Sequence, residues 1–499
     1  MKRLTVQNIK DIISGNKDYI FSEKDKTEAL QSYKYLNIFS KDNLVYGLNT
    51  GFGPMANHKV SKADQTNLQY NLIRSHSSGM GSTLSKKVVL TLMIIRLHTF
   101  LQGKSGVSSS LIETLASYIN KGVYPDIYEH GGVGASGDLV QLSHLALGII
   151  GEGKGVDNNG NRIEISNLLE KLNLKPHKLE LRDGLAMING TACMTALSTI
   201  NIINSKILIS WSIKISAMML EIFGSYDDYI SCELNKVKQH KGQNEIALKL
   251  RTILETSNLI RNRYTGNDGD KNFQEFYSVR CTPQILGPIL DTINFSEIVV
   301  ENEINSVDDN PIVDVKNQKI AHGGNFHGDY ISLEMDKLKI AITKLTMLTE
   351  RQLNLLLNAK TNKILPPFLN IGTLGLNYGM QGVQFTATST TAENQMLSNP
   401  MSIHSITCNN DNQDIVSMGT NSALITKKVI DNAFQVVSIQ IIACVKALEI
   451  LKVEDNVSVE TNKIMKEIKK LIGIHNHEDN TFYDKLQVVE NFLRNQKNE

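Results

Sequence analysis

At 499 residues with 41% hydrophobic side chains, the chain can bury a large core; at about 150 residues per domain it has room for roughly three core units, or one interlocked one. A net charge of +1 excludes a strong field toward nucleic acid or an anionic membrane. The five cysteines, Cys193, Cys232, Cys281, Cys408 and Cys444, lie far apart with no C-x-x-C pair, which argues against a disulfide framework or a zinc site and for a reducing cytoplasm.

In chain order, the opening "MKRLTVQNIKDIISG" has early basic residues but no apolar run behind them, so it does not read as a secretory signal. Glycine and asparagine cluster at 47–53, 131–137 and 153–161, and the first 180 residues read as a mixed lobe rich in loops. A helix is predicted to start near Asp138. Ala192 to Phe223 reads as a long helix; Lys206 and Lys214 interrupt its most apolar part, which favours a buried or interfacial helix over a membrane span. Further loops fall at 265–269 and 323–328, and "VDVKNQKIAHGG" (313–324) is the best candidate for a short hairpin. From Ile331, apolar residues recur at Met335, Leu338, Ile342, Leu345 and Leu348, one face of a helix that runs to about Asn358. Val416 to Leu451 makes a third helix, each of the three well beyond the usual length of about 12 residues. From His475 the tail is polar.

The pattern predicts a mainly α protein, a bundle of long central helices with a mixed N-terminal lobe. The division expected in chain order is a lobe over 1–185, a helical bundle over 186–475 and a tail over 476–499, together one catalytic unit. Helices this long present more apolar face than one subunit covers, so an oligomer is expected.

Chemistry concentrates in "EHGGVGASGDLVQLSHLAL" (129–147), where Gly132, Gly134 and Gly137 spell G-x-G-x-x-G. A dinucleotide loop needs a buried strand before it inside a βαβ unit. The preceding "GVYPDIYEH" is not such a strand. Ala135-Ser136-Gly137 has other chemistry. In a tight bend the Gly137 amide nitrogen can attack the Ala135 carbonyl carbon and close a five-membered ring with loss of water. A second water lost from Ser136 leaves an exocyclic methylene, an electrophile made from backbone. Gly137 supplies an unhindered nitrogen and unusual φ/ψ, Ser136 the leaving hydroxyl, and Ala135 a small side chain.

These residues resemble the aromatic amino acid ammonia-lyases, which use this methylidene-imidazolone (MIO) group. The resemblance covers nearly the whole chain. It rests on the loop together with "YGLNTGFGPM" (46–55), "INGT" (188–191), "YSVRCTPQILG" (277–287), "DNP" (309–311), "GGNFHGD" (323–329) and "NQDIVSMG" (412–419). "LQYNLIRSHSSG" and "QGVQFTATSTTAE" make it most similar to the bacterial tyrosine ammonia-lyases. The resemblance implies a fumarase/aspartase-like helical bundle, MIO formed from Ala135, Ser136 and Gly137 with no external cofactor or metal, and a homotetramer whose sites draw on several subunits. It makes Tyr46 the base that removes the β-proton. A free tyrosine has a pKa of ~10, so that role calls for stabilisation of the phenolate, which backbone N–H groups around Gly47, Gly51 and Gly53 can provide.

By motif position, Arg280 resembles the carboxylate-gripping arginine, a task suited to a planar two-pronged donor. Tyr277 resembles a second active-site tyrosine supplied by a neighbouring subunit. Asn189 and Asn310 resemble the amides that support MIO and the carboxylate, and Phe326 an aromatic wall. Asp138 either assists cyclisation or caps the next helix; the residues leave both open. His76, in Ser75-His76, is placed at the ring end of the pocket, where a polar side chain favours a phenol or an imidazole over a bare phenyl ring. Histidine-specific relatives carry a glutamate where this chain has Gln413, so an imidazole loses a charged partner while a phenol can still bond to His76.

The expected reaction is therefore deamination of L-tyrosine to trans-4-coumarate. Deamination of L-histidine to urocanate and an MIO-dependent aromatic aminomutase are the alternatives. The segment 262–275 looks shorter than in the closest relatives, which bears on lid closure and rate.

Overall fold

The computed structural model describes residues 2–264, 274–473 and 478–495. Residues 265–273, most of the 262–275 segment, lie outside the described residues, as does the start of the tail.

The protein is mainly helical, and the three long helices read from periodicity are present as Ala192–Ile222, Asp329–Leu357 and Gly419–Leu451. A fourth, Thr282–Ile304, was hidden in the sequence because Pro288 lies inside it, and a Gly-Pro pair ordinarily reads as a break. Two of these helices, Ala192–Ile222 and Gly419–Leu451, are long and apolar enough to cross a membrane by composition, yet 78% of the apolar window of each is buried within the fold. That is how a core helix of a bundle behaves.

Strands are few and short. Ile312–Asp314 and Lys319–Ala321 form the expected hairpin, pairing Val313 with Ile320. The other small sheets lie in the N-terminal region: Met80–Thr83 with Tyr128–His130, and Tyr124–Pro125, Lys154–Val156 and Arg162–Glu164 together.

Two compact units are distinguished, each discontinuous in sequence. The first comprises 1–203, 296–336 and 400–426; the second comprises 204–295, 337–399 and 427–499. In the first, the helix Leu139–Ile149 packs against Gln65–His76 and the short helix Asp183–Ile188, with Leu142, Leu145 and Ile188 fully buried. In the second, the tail contributes a helix, Tyr483–Asn495, whose Leu493 carbonyl accepts the Trp211 indole N–H at 3.1 Å.

Candidate active site

The glycine loop follows Tyr128–His130, which pairs antiparallel with Met80–Thr83. It therefore does not open a βαβ unit, and the phosphate-loop reading has no structural support. Segments that return from later in the chain stitch it down. The Val133 carbonyl accepts the Met418 N–H at 2.9 Å, and the Gly134 carbonyl accepts the Ser417 hydroxyl and the Gly328 N–H, both at 3.1 Å. Gly137 has φ +72°, and a Cβ there would stand 1.9 Å from the Gly190 carbonyl oxygen. No side chain fits. The bend is completed by Asp138 N–H donating to Gly190 O at 2.8 Å and by the Asn189 amide donating to Ser136 O at 3.3 Å.

Ser136 opens into a cavity of 360 Å³, lined entirely by the first unit. Six of the expected residues line it: Tyr46, His76, Ser136, Asn189, Phe326 and Gln413. Ala135 is buried on the loop's other side with Val416 and Met418. Asn310 lies outside the lining; its side-chain oxygen accepts the Gly323 N–H at 2.9 Å, at the base of the loop that carries Phe326. Tyr277 and Arg280 belong to the second unit, where they line another cavity of 790 Å³. The Arg280 guanidinium stacks 4.5 Å from the Tyr277 ring centre, and Tyr277 is 68% exposed.

At one wall, the Tyr46 hydroxyl oxygen accepts the Gly53 N–H at 2.9 Å, the backbone donor expected from this glycine-rich turn. Gly53 donates from φ +50°, a left-handed conformation. Gln69 ties this turn to the cavity floor: its amide donates to Gly47 O and accepts the Leu185 N–H, each at 2.8 Å. At another wall, His76 Nδ1 lies 2.9 Å from Leu72 O. The Ser75 hydroxyl lies 3.0 Å from the same nitrogen; in the neutral tautomer with the proton on Nδ1, Nε2 is the atom left to accept.

Near Ser136, the Gln413 amide nitrogen donates to the hydroxyl at 2.9 Å, and the Cys408 thiol donates to the amide oxygen at 3.3 Å. In the uncyclised loop Gln413 is thus held at the serine hydroxyl that ring closure removes.

Asp138 caps a helix, but not the one that follows it. Its side chain makes no cap bond to Leu139–Ile149. It accepts the N–H groups of Cys193 and Met194, each at 2.9 Å, at the start of Ala192–Ile222, and Thr420 donates its hydroxyl as well. Burial pushes its carboxyl up to about 7 against the pull of these three donors.

The sequence reading missed the apolar wall of Phe52, Leu68, Leu72, Leu185 and Ile188. Part of it was legible: Leu68, Leu72 and His76 recur every four residues and share one face of the helix Gln65–His76.

The residues fit an MIO group. The Gly137 bend admits no side chain, and the Asn189 side-chain oxygen is buried beside the loop with no hydrogen-bond partner.

A family model described as aromatic amino acid lyase matches residues 4–470. The chain is 35% identical over 494 residues to a histidine ammonia-lyase of Macrococcus caseolyticus (strain JCSC5402), covering 98% of this chain and 97% of that one. It is 36% identical over 463 residues to tyrosine 2,3-aminomutase of Chondromyces crocatus, covering 90% and 87%. Its fold superposes on a crystal structure of tyrosine aminomutase from Streptomyces globisporus with a TM-score of 0.93 at 30% identity, covering 99% and 95%.

Proposed function

This chain belongs to the aromatic amino acid lyase family, and we propose that within it the protein deaminates L-tyrosine to trans-4-coumarate and ammonia, with MIO formed from its own Ala135, Ser136 and Gly137. The observation that carries this reading is one cavity that brings Ser136 together with Tyr46 and with His76. Once formed, MIO would supply the electrophile that turns the substrate amine into a better leaving group.

The chain's side chains do the rest. Tyr46 removes the β-proton and holds it on its oxygen, where the Gly53 N–H is already positioned. In the tautomer that keeps the proton on Nδ1, between Leu72 O and the Ser75 hydroxyl, His76 presents the Nε2 lone pair to a phenol O–H. Leu68, Leu72 and Phe326 enclose the ring and exclude water. Asn189 supports the loop through Ser136 O, and Asn310 anchors the Phe326 loop. Tyr277 and Arg280 are supplied to the site by a neighbouring subunit of a homotetramer, with Arg280 gripping the substrate carboxylate.

Histidine is the second reading. An imidazole N–H also donates to His76, and the similarity to a histidine ammonia-lyase favours it. Against it stands Gln413, a neutral amide that offers an imidazole no ionic partner. The tyrosine 2,3-aminomutase likeness supports an alternative fate for the amine, its return to the β-carbon.

Three measurements test the chemistry. Intact mass of the purified chain is expected to fall short of the sequence mass by two waters, about 36 Da. Ser136→Ala is expected to keep its fold and lose nearly all activity. Chromatography of products from tyrosine is expected to show coumarate and ammonia. β-Tyrosine as the main product would replace the lyase assignment with an aminomutase.

A further inference from the structure

Two buried arginine–aspartate pairs stand on consecutive aspartates. Asp309 pairs with Arg182 at 2.8 Å, and the same guanidinium donates to the Asn310 carbonyl at 2.7 Å. Asp308 pairs with Arg96 at 2.9 Å, with both side chains buried. Arg96 has no part in the chemistry outlined above, and a buried ion pair is weak support for stability in itself.

Its contacts point elsewhere. One terminal nitrogen of Arg96 donates to the carbonyls of Ala186 and Asn189, the latter at 2.7 Å. Asp308 accepts the Thr191 N–H at 2.6 Å and the Thr191 hydroxyl at 3.1 Å. The pair thus grips both ends of the turn Asn189–Gly190–Thr191. Gly190 lies directly against it: a Cβ there would stand 2.5 Å from Arg96 Nη1 and 2.6 Å from Asp308 Oδ2. The opposite side of the turn meets the reactive loop, where Gly190 O accepts the Asp138 N–H at 2.8 Å and Asn189 donates to Ser136 O at 3.3 Å.

We propose that Arg96 is a positioning residue for ring closure: anchored through Asp308, it sets the Asn189–Gly190–Thr191 turn against Ser136 and Gly137 and holds the loop in the bend that closure requires. This rests on the cyclisation reading above. In the closure itself, the Gly137 nitrogen bonds to the Ala135 carbonyl carbon and its proton passes to that oxygen. The resulting hydroxyl leaves with the Ser136 N–H proton as the first water. The Ser136 hydroxyl then leaves with the Ser136 Cα proton as the second. The hydrogen bonds of Arg96 reach no reacting atom, so its effect is on approach geometry. A misplacement of about 1 Å costs such a reaction on the order of 10²-fold in rate.

The test reads mass as well as activity. Removing Arg96 alone would strand a buried carboxylate, so Arg96→Met is combined with Asp308→Asn. The comparison is Arg182→Met with Asp309→Asn, an equally buried pair that bonds Ser105 and Asn310 instead of this turn. Wild type is expected to lack two waters. The Arg96/Asp308 variant, folded by circular dichroism, is expected to retain most of its full mass, with closure slowed about 10²-fold. The Arg182/Asp309 variant is expected to reach the lighter mass. Arg96→Lys keeps the charge but drops the fork onto Ala186 and Asn189. It is the milder variant should the double one not fold, and it is expected to lighten more slowly than wild type in a pulsed-expression time course.

Equal lightening of the Arg96 variants and wild type would overturn the proposal, and so would equal retention of mass in the Arg182/Asp309 variant. Wild type at full mass would instead remove the cyclisation reading itself.

Discussion

At the scale of single residues, the reaction turns on where one proton goes. Tyr46 faces the cavity with its oxygen on the Gly53 N–H, and it is the side chain to which we assign the β-proton. Tyr46→Phe removes the oxygen and leaves the Ser136 loop untouched. It is expected to lower kcat by about 10²–10⁴-fold, the usual worth of a positioned base, while the chain still shows the lighter mass. Retained turnover in that variant would move the base elsewhere. Ala135-Ser136-Gly137 was legible as a reactive tripeptide because its three residue types suffice to write the ring closure. Tyr46 and His76 became legible only through resemblance, since a loop tyrosine and a helix-end histidine carry no mark of their own. Arg96 was not legible at all. It sits in the apolar run "VVLTLMIIRLHTF", and its partner Asp308 is 212 residues away.

At the scale of elements, periodicity reads helices well and their ends poorly. The 31-residue helix Ala192–Ile222 takes its N-terminal cap from Asp138, which lies far earlier in the chain. No local pattern announces such a cap. The same bond couples the bundle to the reactive loop and gives it a pH dependence. The Asp138 carboxyl rises from 3.8 to about 7 on folding because it is buried, and the neighbouring Glu303 rises from 4.5 to about 7 for the same reason. A raised acid binds its proton more tightly in the folded state. Its contribution is therefore complete below pH 3.8 and is lost as pH climbs toward about 7. Asp138→Asn carries no ionisable group, so the gap in urea midpoint between it and wild type is expected to shift in the variant's favour from pH 5 to pH 7. A gap that stays constant across that range would show that Asp138 does not titrate on folding. The Thr282–Ile304 helix marks the other limit of pattern reading, because Pro288 breaks the local rule and packing overrides it.

At the scale of the whole molecule, a division in chain order cannot register that 296–336 and 400–426 return to the unit that bears the loop. The segments that hold Gly134 in place come from those returns. Tyr277 and Arg280 sit in the other unit, with Tyr277 largely exposed, and we assign them to a neighbouring subunit's site. If sites are shared in this way, Tyr46→Phe and Tyr277→Phe, each nearly inactive, are expected to regain activity when co-assembled from unfolded chains, because some sites then draw a native residue from each partner. No recovery in the mixed oligomer would place both tyrosines in one subunit's site. Which amino acid the cavity accepts is read from kcat/KM for L-tyrosine, L-histidine and L-phenylalanine on one preparation, followed by ultraviolet absorbance of the conjugated acids. A bond from His76 Nε2 to a ring hydroxyl predicts phenylalanine behind tyrosine by about 10²-fold or more, and Gln413, which offers an imidazole no ionic partner, predicts histidine behind tyrosine as well. Urocanate formed from histidine in preference to coumarate from tyrosine would overturn the tyrosine assignment.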